Sequence, residues 1–240
     1  MLLNTFLALA AVVAPIDLPT QGMTDAPVIG TPPPTISPLT VPGGGPATRP
    51  FSVERISHAT VLFDFDGVRI LTDPWFTEAP EYHHGEPLAV SAAHLPKLAA
   101  IIVSHAHFDH FDVEHFGREY PYKDVPMFVG FDDMVVRAHQ AGFTNVHKLA
   151  PGAKATIGSV SIYAVPGRHV VPEITYVLRS GGNTAYFGAD TMLPPEVRSI
   201  SRLGPIDVAF LPINGLNVGG KPAVMSAEEA AVSPGYCRPL

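Results

Sequence analysis

Short runs of apolar residues, separated by glycine, proline, asparagine and aspartate, make up most of the chain from residue 51 onward. Runs of this length are typical of buried strands and too short for helices. Two pairs of runs flank tight turns, at Asp66–Gly67 and at 180–183, and these pairs predict β-hairpins. The predicted strands cover Phe51–Ile56, Ala59–Phe65, Val68–Thr72, Ala99–Ser104, Pro126–Gly130, Val146–Leu149, Lys154–Ile157, Val160–Val165, Ile174–Arg179, Thr184–Gly188 and Ile206–Leu211.

Three segments between or after these runs carry helix signals. Asp132 is predicted to cap a helix that ends at Gly142, and a second helix is predicted over 195–202. Ser226 opens a capping box, which predicts a third helix, but Pro234 cuts that helix short. Hairpins mixed with helices favour a layered α/β fold over a doubly wound parallel sheet.

The first fifty residues lack the pattern of a folded domain. Residues 1–14 are apolar and partly resemble a secretory signal, but no lysine or arginine precedes the apolar run. Residues 15–50 are rich in proline, threonine and glycine, which predicts a linker or disordered arm. We therefore predict an apolar leader and disordered arm over 1–50 and a folded domain over 51–240. The predicted location is cytoplasmic, and the alternative is export through the leader. A misassigned start is an alternative explanation of the apolar segment itself.

The composition narrows the classes of partner. Hydrophobic residues make up 46% and charged residues 15% of the chain, which is enough to bury a sizeable core. A net charge of −7 argues against nucleic acid bound on a broad basic surface. Cys237 is the single cysteine, which excludes an internal disulfide and a cysteine-rich zinc site. No segment of the sequence is long and apolar enough to span a bilayer, and the oligomeric state stays open.

The most informative motif is the run from His105 to His110, in which His107 and Asp109 also carry metal-binding side chains. It directly follows the apolar stretch 101–104, so one buried strand end delivers several donors to one point at a sheet edge. Imidazole and carboxylate donors together suit Zn²⁺, with iron and manganese as alternatives. A solvated polar loop would favour glycine, asparagine and serine for its turns instead.

Further ligands are expected from other strand ends. His169 and Asp190 each follow an apolar strand and a glycine, at a transition where ligands converge on a rigid scaffold. Taken alone, either residue also fits a solvated loop. Asp73 ends another strand and is either an acceptor that orients a ligating imidazole or a turn starter. Surface or packing positions, with a pocket-rim alternative for the first two, are expected for His83, His84, His94, His115, His139 and His147.

With these motifs the chain resembles the metallo-β-lactamase-fold hydrolases. It looks most similar to the branch that contains ascorbate-6-phosphate lactonase and N-acyl-phosphatidylethanolamine phospholipase D. The resemblance covers 51 to about 232, is strongest in the run 105–110, and is supported by 57–61, 70–76, 188–191 and 211–213. It implies an αββα sandwich in which two mixed sheets lie face to face with helices outside and the site at one edge.

The resemblance also implies a binuclear site with two divalent metal ions, Zn²⁺ first and Mn²⁺ or Fe²⁺ as alternatives. The implied ligands are His105, His107 and His169 for the first ion, Asp109 and His110 for the second, and Asp190 between the two. A metal-bridged hydroxide would then hydrolyse a phosphodiester, a lactone or a related ester in a small-molecule or lipid-like substrate. Asp109 would orient the hydroxide and move its proton. His58 would lie near the pocket mouth or be a half-buried strand residue.

One part of the family pattern is missing. The family places a further histidine on a strand after the helix that here begins at Ser226, but no histidine follows His169. The last family strand and helix are missing too, so we expect a C-terminally incomplete domain with a weakened second metal site. As an alternative, Cys237 would replace the missing histidine as a ligand of the second metal ion. The rival functions are a metal-binding domain with little or no catalysis and an iron-dependent oxidoreductase on the same fold.

Overall fold

The computed structural model describes residues 9–13, 39–40, 51–192, 200 and 202–232. The first sheet contains β2 (Leu39–Thr40), β3 (Phe51–Ser57), β4 (Thr60–Phe65), β5 (Val68–Thr72), β6 (Ala100–Ile102), β7 (Met127–Val129) and β8 (Val146–Lys148). The second contains β1 (Leu9–Val13), β9 (Lys154–Ile157), β10 (Val160–Pro166), β11 (Ile174–Ser180), β12 (Asn183–Phe187) and β13 (Val208–Pro212). A small separate hairpin joins β14 (Asn217–Val218) and β15 (Lys221–Pro222).

The strand order of the sheets brings the ends of parallel strands together. The first sheet runs in sequence order, antiparallel from β2 to β5 and parallel from β5 to β8. The second has the order β1-β13-β12-β11-β10-β9, and within it β12 and β13 are parallel. Parallel neighbours finish at the same edge of a sheet. The segments that follow β5 and β6 therefore leave the first sheet side by side.

The two sheets pack face to face around the main core. Along β4, Val61 and Phe63 point into the layer between the sheets, while Leu62 points to the opposite face and packs in the outer layer. On β11 of the second sheet, Tyr176 points inward and Val177 outward. Because both faces of these strands are buried, their sequences read as continuous apolar runs rather than as alternating patterns.

Helices cover the outer faces of both sheets. On the first sheet, α1 (Val113–Glu119) and α2 (Asp132–Gln140) bury Phe116 and Met134 in the outer apolar layer. On the second sheet, α3 (Ala227–Val232) packs through Ala230. The layers are therefore helix, sheet, sheet and helix, which confirms the predicted αββα sandwich.

Most predicted strands and the hairpin turns are present within about two residues. The predicted capping box is also formed: the backbone N–H of Glu229 donates to Oγ of Ser226, and the Ser226 N–H donates to Oε2 of Glu229. Asp132, however, was wrongly predicted to cap α2. It is the first helical residue after Phe131, and its carboxylate instead accepts a hydrogen bond from Nζ of Lys148 at 2.8 Å.

The helix α1 was not predicted, and its sequence explains why. Gly117 lies in its middle and lowers helix propensity. A Cβ at Gly117 would lie 2.6 Å from the carbonyl oxygen of Ala141 at the end of α2. Glycine therefore permits close contact between the two helices, and this tertiary contact outweighs the local propensity.

Two short strands lie within the segment predicted as leader and arm. β1 pairs antiparallel with β13, and β2 pairs antiparallel with β3; neither strand was predicted. The domain division at residue 50 stays a prediction, and the helix predicted over 195–202 lies mostly outside the described residues. Among the residues that the structure describes, no helix has the length and apolar character needed to cross a membrane.

Candidate metal centre

Segments from both sheets meet at one edge of the sandwich. The first sheet supplies the β3–β4 turn, the end of β5 and the segment after β6, and the second supplies the β10–β11 loop and the end of β12. Two hydrogen bonds join the sheets beside this edge: Ile174 N–H donates to the Ser104 carbonyl at 3.0 Å, and the Tyr176 hydroxyl donates to the Val103 carbonyl at 2.7 Å. The edge is thus a rigid junction that can hold side chains from distant parts of the chain.

One group of donors combines His105 and His107 from the motif with His169 and Asp190 from the second sheet. Nδ1 of His107 lies 3.0 Å from Nε2 of His105 and 3.2 Å from Nε2 of His169. Nε2 of His169 lies 3.8 Å from Oδ2 of Asp190. Donors about 2.0–2.1 Å from a tetrahedral zinc ion lie about 3.3 Å apart, so this spacing matches one bound ion.

A second group adjoins the first and consists of His58, Asp109 and His110. Nε2 of His58 lies 3.2 Å from Nε2 of His110 and 3.4 Å from Oδ2 of Asp109. Oδ1 of Asp190 lies 3.3 Å from Nε2 of His110, so Asp190 contacts both groups. All the residues predicted as ligands are therefore brought together. His58 is buried beside them rather than at a pocket mouth, with 5% of its side chain exposed.

Two histidine rings, those of His169 and His110, each make a hydrogen bond through the nitrogen that points away from the donor groups. These bonds determine which nitrogen faces the donor groups. Nδ1 of His169 lies 2.7 Å from the carbonyl oxygen of Ala223, which can only accept, so Nδ1 carries the hydrogen. Nδ1 of His110 likewise donates to Oδ2 of Asp73 at 2.7 Å. In each neutral ring the remaining Nε2 then presents a lone pair to the donor group, as a metal ligand requires.

Asp73 is the common anchor of both groups. Besides the bond from His110, its carboxylate accepts from the backbone N–H of Ser104 at 2.7 Å and from the Ser104 hydroxyl at 2.6 Å. The same hydroxyl oxygen lies 2.9 Å from Nδ1 of His105, from which it accepts. Asp73 therefore positions His110 directly and His105 through Ser104. Of its two predicted roles, the structure shows the acceptor that orients an imidazole.

Sequence reasoning missed Glu173 and Ser104. The side chain of Glu173 is completely buried, its Oε1 accepts from the Asp190 N–H at 2.9 Å, and it lies 3.6 Å from Nδ1 of His105. It thus holds the backbone of Asp190 by a hydrogen bond and packs beside His105 of the other sheet. The available signal was a charged residue directly before the apolar strand that begins at Ile174.

Gly167 leaves the space that the Glu173 side chain fills. A Cβ at this position would lie 2.5 Å from Oε2 of Glu173, closer than real Cβ contacts come. We expect Gly167→Ala to lower the free energy of unfolding by about 1–3 kcal/mol, because a packed interior does not yield without strain. Thermal melting with metal titration on the same samples measures the effect. Unchanged melting and metal affinity would show that Glu173 moves without cost and does not hold the site.

Carboxylates dominate the charge of this buried edge. Asp73, Asp109, Glu173 and Asp190 are all buried there. Burial alone would raise the pKa of Asp190, but His110 nearby holds that pKa far below its ordinary value. Burial alone would lower the pKa of His110, but Asp190 and Asp109 raise it well above its ordinary value. Burial raises the pKa of Glu173 well above its ordinary value. Without metal, the protonated imidazole of His110 faces Asp73, Asp109 and Asp190 and offsets only part of their negative charge.

Burial shifts the pKa values of Asp109, His58 and His107 in the direction that favours their uncharged forms. Burial raises the pKa of Asp109 to about 6. Burial, with a contribution from His110, lowers the pKa of His58 to about 3. Burial and the neighbouring His169 lower the pKa of His107 to about 4. Neutral imidazoles at physiological pH are the form that binds a metal ion.

An orphaned oxygen supports the fit to a cation. Among the described residues, Oδ1 of Asp190 is buried and has no hydrogen-bond partner, although His110 lies close to it. Buried polar atoms are normally satisfied, and an anionic one is costly without a counter-charge. With Nε2 of His110 and Nε2 of His169 facing the same region, the residues present fit divalent cations, whose binding would displace the proton from His110.

Backbone strain is concentrated around the same edge. Among the described non-glycine residues, His58, Asp73 and Ala189 have φ values of +47°, +35° and +47°. Asp66, in the β4–β5 turn, is the other residue of this kind. Strained backbone persists where the surrounding structure over-determines it, and such residues cluster at functional sites.

Two aromatic residues lie near Asp109, one of which is Tyr82 and the other the preceding residue Phe108. The rings of Tyr82 and Phe108 lie 5.4 Å apart, and both side chains are half-buried. His84, predicted at the surface or the pocket rim, packs against Trp75 with ring centroids 4.0 Å apart, while His83 is exposed. The histidines at 94, 115, 139 and 147 belong to neither donor group in the described chain.

Comparisons with known proteins agree with this architecture. An uncharacterized protein of Mycobacterium tuberculosis is 27% identical over 208 residues, which is 78% of this chain and 54% of that protein. The chain therefore spans about half the length of this curated relative. A UPF0173 metal-dependent hydrolase of Pyrobaculum arsenaticum is 26% identical over 190 residues, or 76% of this chain and 77% of the hydrolase.

A solved structure shows the same fold. The metallo-beta-lactamase fold protein YhfI from Bacillus subtilis superposes with a TM-score of 0.55 at 20% identity, covering 82% of this chain and 76% of its own. The narrower lactonase and phospholipase branch stays a prediction. A family model described as the beta-lactamase superfamily domain matches residues 68–232, more than half of the chain. The chain therefore belongs to the beta-lactamase superfamily.

Proposed function

We propose that the chain is a metal-dependent hydrolase that holds two divalent metal ions and cleaves a phosphodiester, a lactone or a related ester. The observation that carries this proposal is the convergence of two adjoining donor groups on Asp190, which contacts His110 at 3.3 Å and His169 at 3.8 Å. Paired metal sites that share a carboxylate suit hydrolytic displacement at phosphoryl and carbonyl centres. The hydrolase name of the archaeal relative is consistent with this class.

The chain's own residues divide the work of holding the ions. His105, His107 and His169 would hold the first ion, Asp109 and His110 the second, and Asp190 would lie between them. When bound, such ions lower the pKa of water and polarise the scissile bond. The mixture of imidazole and carboxylate donors favours Zn²⁺, with Mn²⁺ and Fe²⁺ as alternatives.

Asp109 is the residue we assign to proton transfer. Its side chain is 13% exposed, whereas that of Asp190 is 6% exposed, so Asp109 is the carboxylate with better access to solvent. Oδ2 of Asp109 lies at the second donor group, where it can accept a proton from the attacking water and pass it outward.

The rim beside Asp109 favours a substrate with an apolar part. Tyr82 and Phe108 present half-buried rings with centroids 5.4 Å apart, and Val170, directly after the donor His169, is 50% exposed. We therefore propose a small-molecule or lipid-like ester or phosphoester whose apolar group packs on this rim. The net charge of −7 supports a small substrate over a nucleic acid.

Metal content and hydrolysis, measured on the same purified protein, test the proposal. We expect two metal ions per chain by plasma mass spectrometry and metal-dependent hydrolysis in a panel of nitrophenyl phosphodiesters and lactones. His107→Ala should lower both the metal content and the rate of hydrolysis. His94→Ala changes an exposed histidine outside the donor groups and should lower neither quantity. Two bound ions without hydrolysis of any substrate class would favour a metal-binding domain without turnover.

Removal of the metal should also lower thermal stability. A ligand that binds only the folded state at about 100 times its Kd stabilises by about 2.7 kcal/mol. For a domain of this size each kcal/mol corresponds to about 2–4 °C, so we expect chelation to lower Tm by about 5–10 °C per ion. Differential scanning calorimetry before and after chelator treatment, with re-addition of Zn²⁺ as the control, measures this. An unchanged Tm would contradict metal binding at the buried carboxylates.

A further inference from the structure

His58 occupies a backbone position that suits glycine. It lies in the two-residue turn between β3 and β4, where Ser57 pairs with Thr60, and its φ is +47°. A positive φ at the first central position of such a turn is the conformation that glycine adopts at no steric cost. A histidine held in this conformation costs conformational free energy. A role for the imidazole side chain would explain why histidine rather than glycine occupies the position.

The imidazole of His58 is fixed and aimed at the second donor group. Its ring lies edge-on to Trp75, with centroids 5.2 Å apart and an interplanar angle of 85°. On its other side it lies edge-on to His110 at 4.9 Å. This packing leaves Nε2 at 3.2 Å from Nε2 of His110 and 3.4 Å from Oδ2 of Asp109. Both distances equal the spacing of about 3.3 Å between neighbouring ligands of a tetrahedral zinc ion.

One donor atom from each of His58, Asp109 and His110 lies within 4.8 Å of the others, and all three side chains are buried. We propose that His58 is a direct ligand of the second metal ion through Nε2, alongside Asp109 and His110. The inference rests on the proposed binding of two ions, but it does not depend on the substrate or on turnover. The competing role is a plain hydrogen bond between Nε2 of His58 and Nε2 of His110.

Replacement of His58 by glycine tests the proposal without disturbing the backbone. Glycine accepts the left-handed conformation, so His58→Gly keeps the turn unstrained, and the variant loses only the buried ring that packs on Trp75. Asp66→Gly is the matched control, since Asp66 has a φ of +53° in an exposed turn outside the donor groups. Each full-length protein is stripped with chelator and titrated with Zn²⁺ against a chromophoric chelator, and with Co²⁺ by visible absorption.

We expect the wild type and Asp66→Gly to bind two equivalents. His58→Gly should bind the first equivalent with unchanged affinity and the second at least about tenfold more weakly. Loss of a residue that only orients a metal ligand already weakens metal binding by about tenfold, so loss of a direct ligand should cost at least as much. The Co²⁺ absorption of the second equivalent should weaken or shift. Added imidazole, which can enter the vacated space, should restore the second equivalent in His58→Gly.

His58→Asn separates a ligand from a hydrogen-bond donor. Asparagine tolerates the left-handed backbone and retains an N–H donor, but lacks the imidazole nitrogen. Unchanged binding of the second equivalent by either variant, or a wild type that binds one equivalent only, would overturn the proposal. Two equivalents in the wild type with the expected loss in His58→Gly, but no hydrolysis, would support His58 as a ligand and count against the proposed function alone.

Discussion

Asp190→Asn should reduce hydrolysis at least about 10³-fold, because it removes a carboxylate whose two oxygens lie beside both donor groups. Its two oxygens lie 3.3 Å from Nε2 of His110 and 3.8 Å from Nε2 of His169. An amide retains the shape but loses the charge and one acceptor oxygen. Metal ions supply several kcal/mol of transition-state stabilisation, and a loss of about 4 kcal/mol corresponds to a factor of about 10³.

The measurement for Asp190→Asn is kcat/KM together with metal content after extensive desalting. Fewer than two ions per chain should accompany the loss of activity. Asp132→Asn provides the control, since it makes the same chemical change on a side chain that is 84% exposed. If Asp190→Asn kept both ions and full activity, the assignment of Asp190 to the space between the ions would be wrong.

Asp73→Asn should weaken both metal sites by about 10–100-fold, although Asp73 belongs to the layer behind the ligands that surround the ions. Its carboxylate accepts from Nδ1 of His110 and from the backbone and hydroxyl of Ser104. An asparagine amide would place an N–H₂ group against at least one of these donors. The resulting loss of a buried acceptor also costs about 1–3 kcal/mol of stability.

Ser104→Ala is the matched variant for Asp73→Asn. It removes the hydroxyl that links Asp73 to Nδ1 of His105 but leaves the bond between Asp73 and His110 in place. We therefore expect Ser104→Ala to weaken the first ion alone and Asp73→Asn to weaken both, as measured by competitive titration of the two equivalents. Equal effects of the two variants on both ions would refute this division.

Local signals in the sequence accounted for much of the fold. β5 and β9 are present with the predicted bounds, because apolar runs between turn residues define strands without help from distant residues. The short α1 escaped prediction, since Gly117 lowers its propensity and its stability comes from contact with the end of α2. The strand β1 likewise exists through its pairing with β13, far away in the sequence.

In the candidate site too, some residues were recognisable from the local sequence and others only from the fold. His105, His107, Asp109 and His110 were recognisable because they crowd into a six-residue run after a buried strand. Glu173 carried almost no signal, because a lone glutamate before a strand is ordinary until the fold places it 3.6 Å from His105. His84 was expected at the surface or rim, and only its packing on Trp75 shows that it is partly covered.

The sequence by itself determined the strands, the layered α/β class and the crowded run of metal donors, because these depend on neighbours within a few residues. Only the tertiary structure decided which nitrogen of each imidazole faces the centre. That choice depends on acceptors from distant segments, such as Asp73 for His110 and Ala223 for His169. It also decided that His58 joins the second donor group, because 52 residues separate it from His110 and the pairing of β4 with β5 and of β5 with β6 closes that distance.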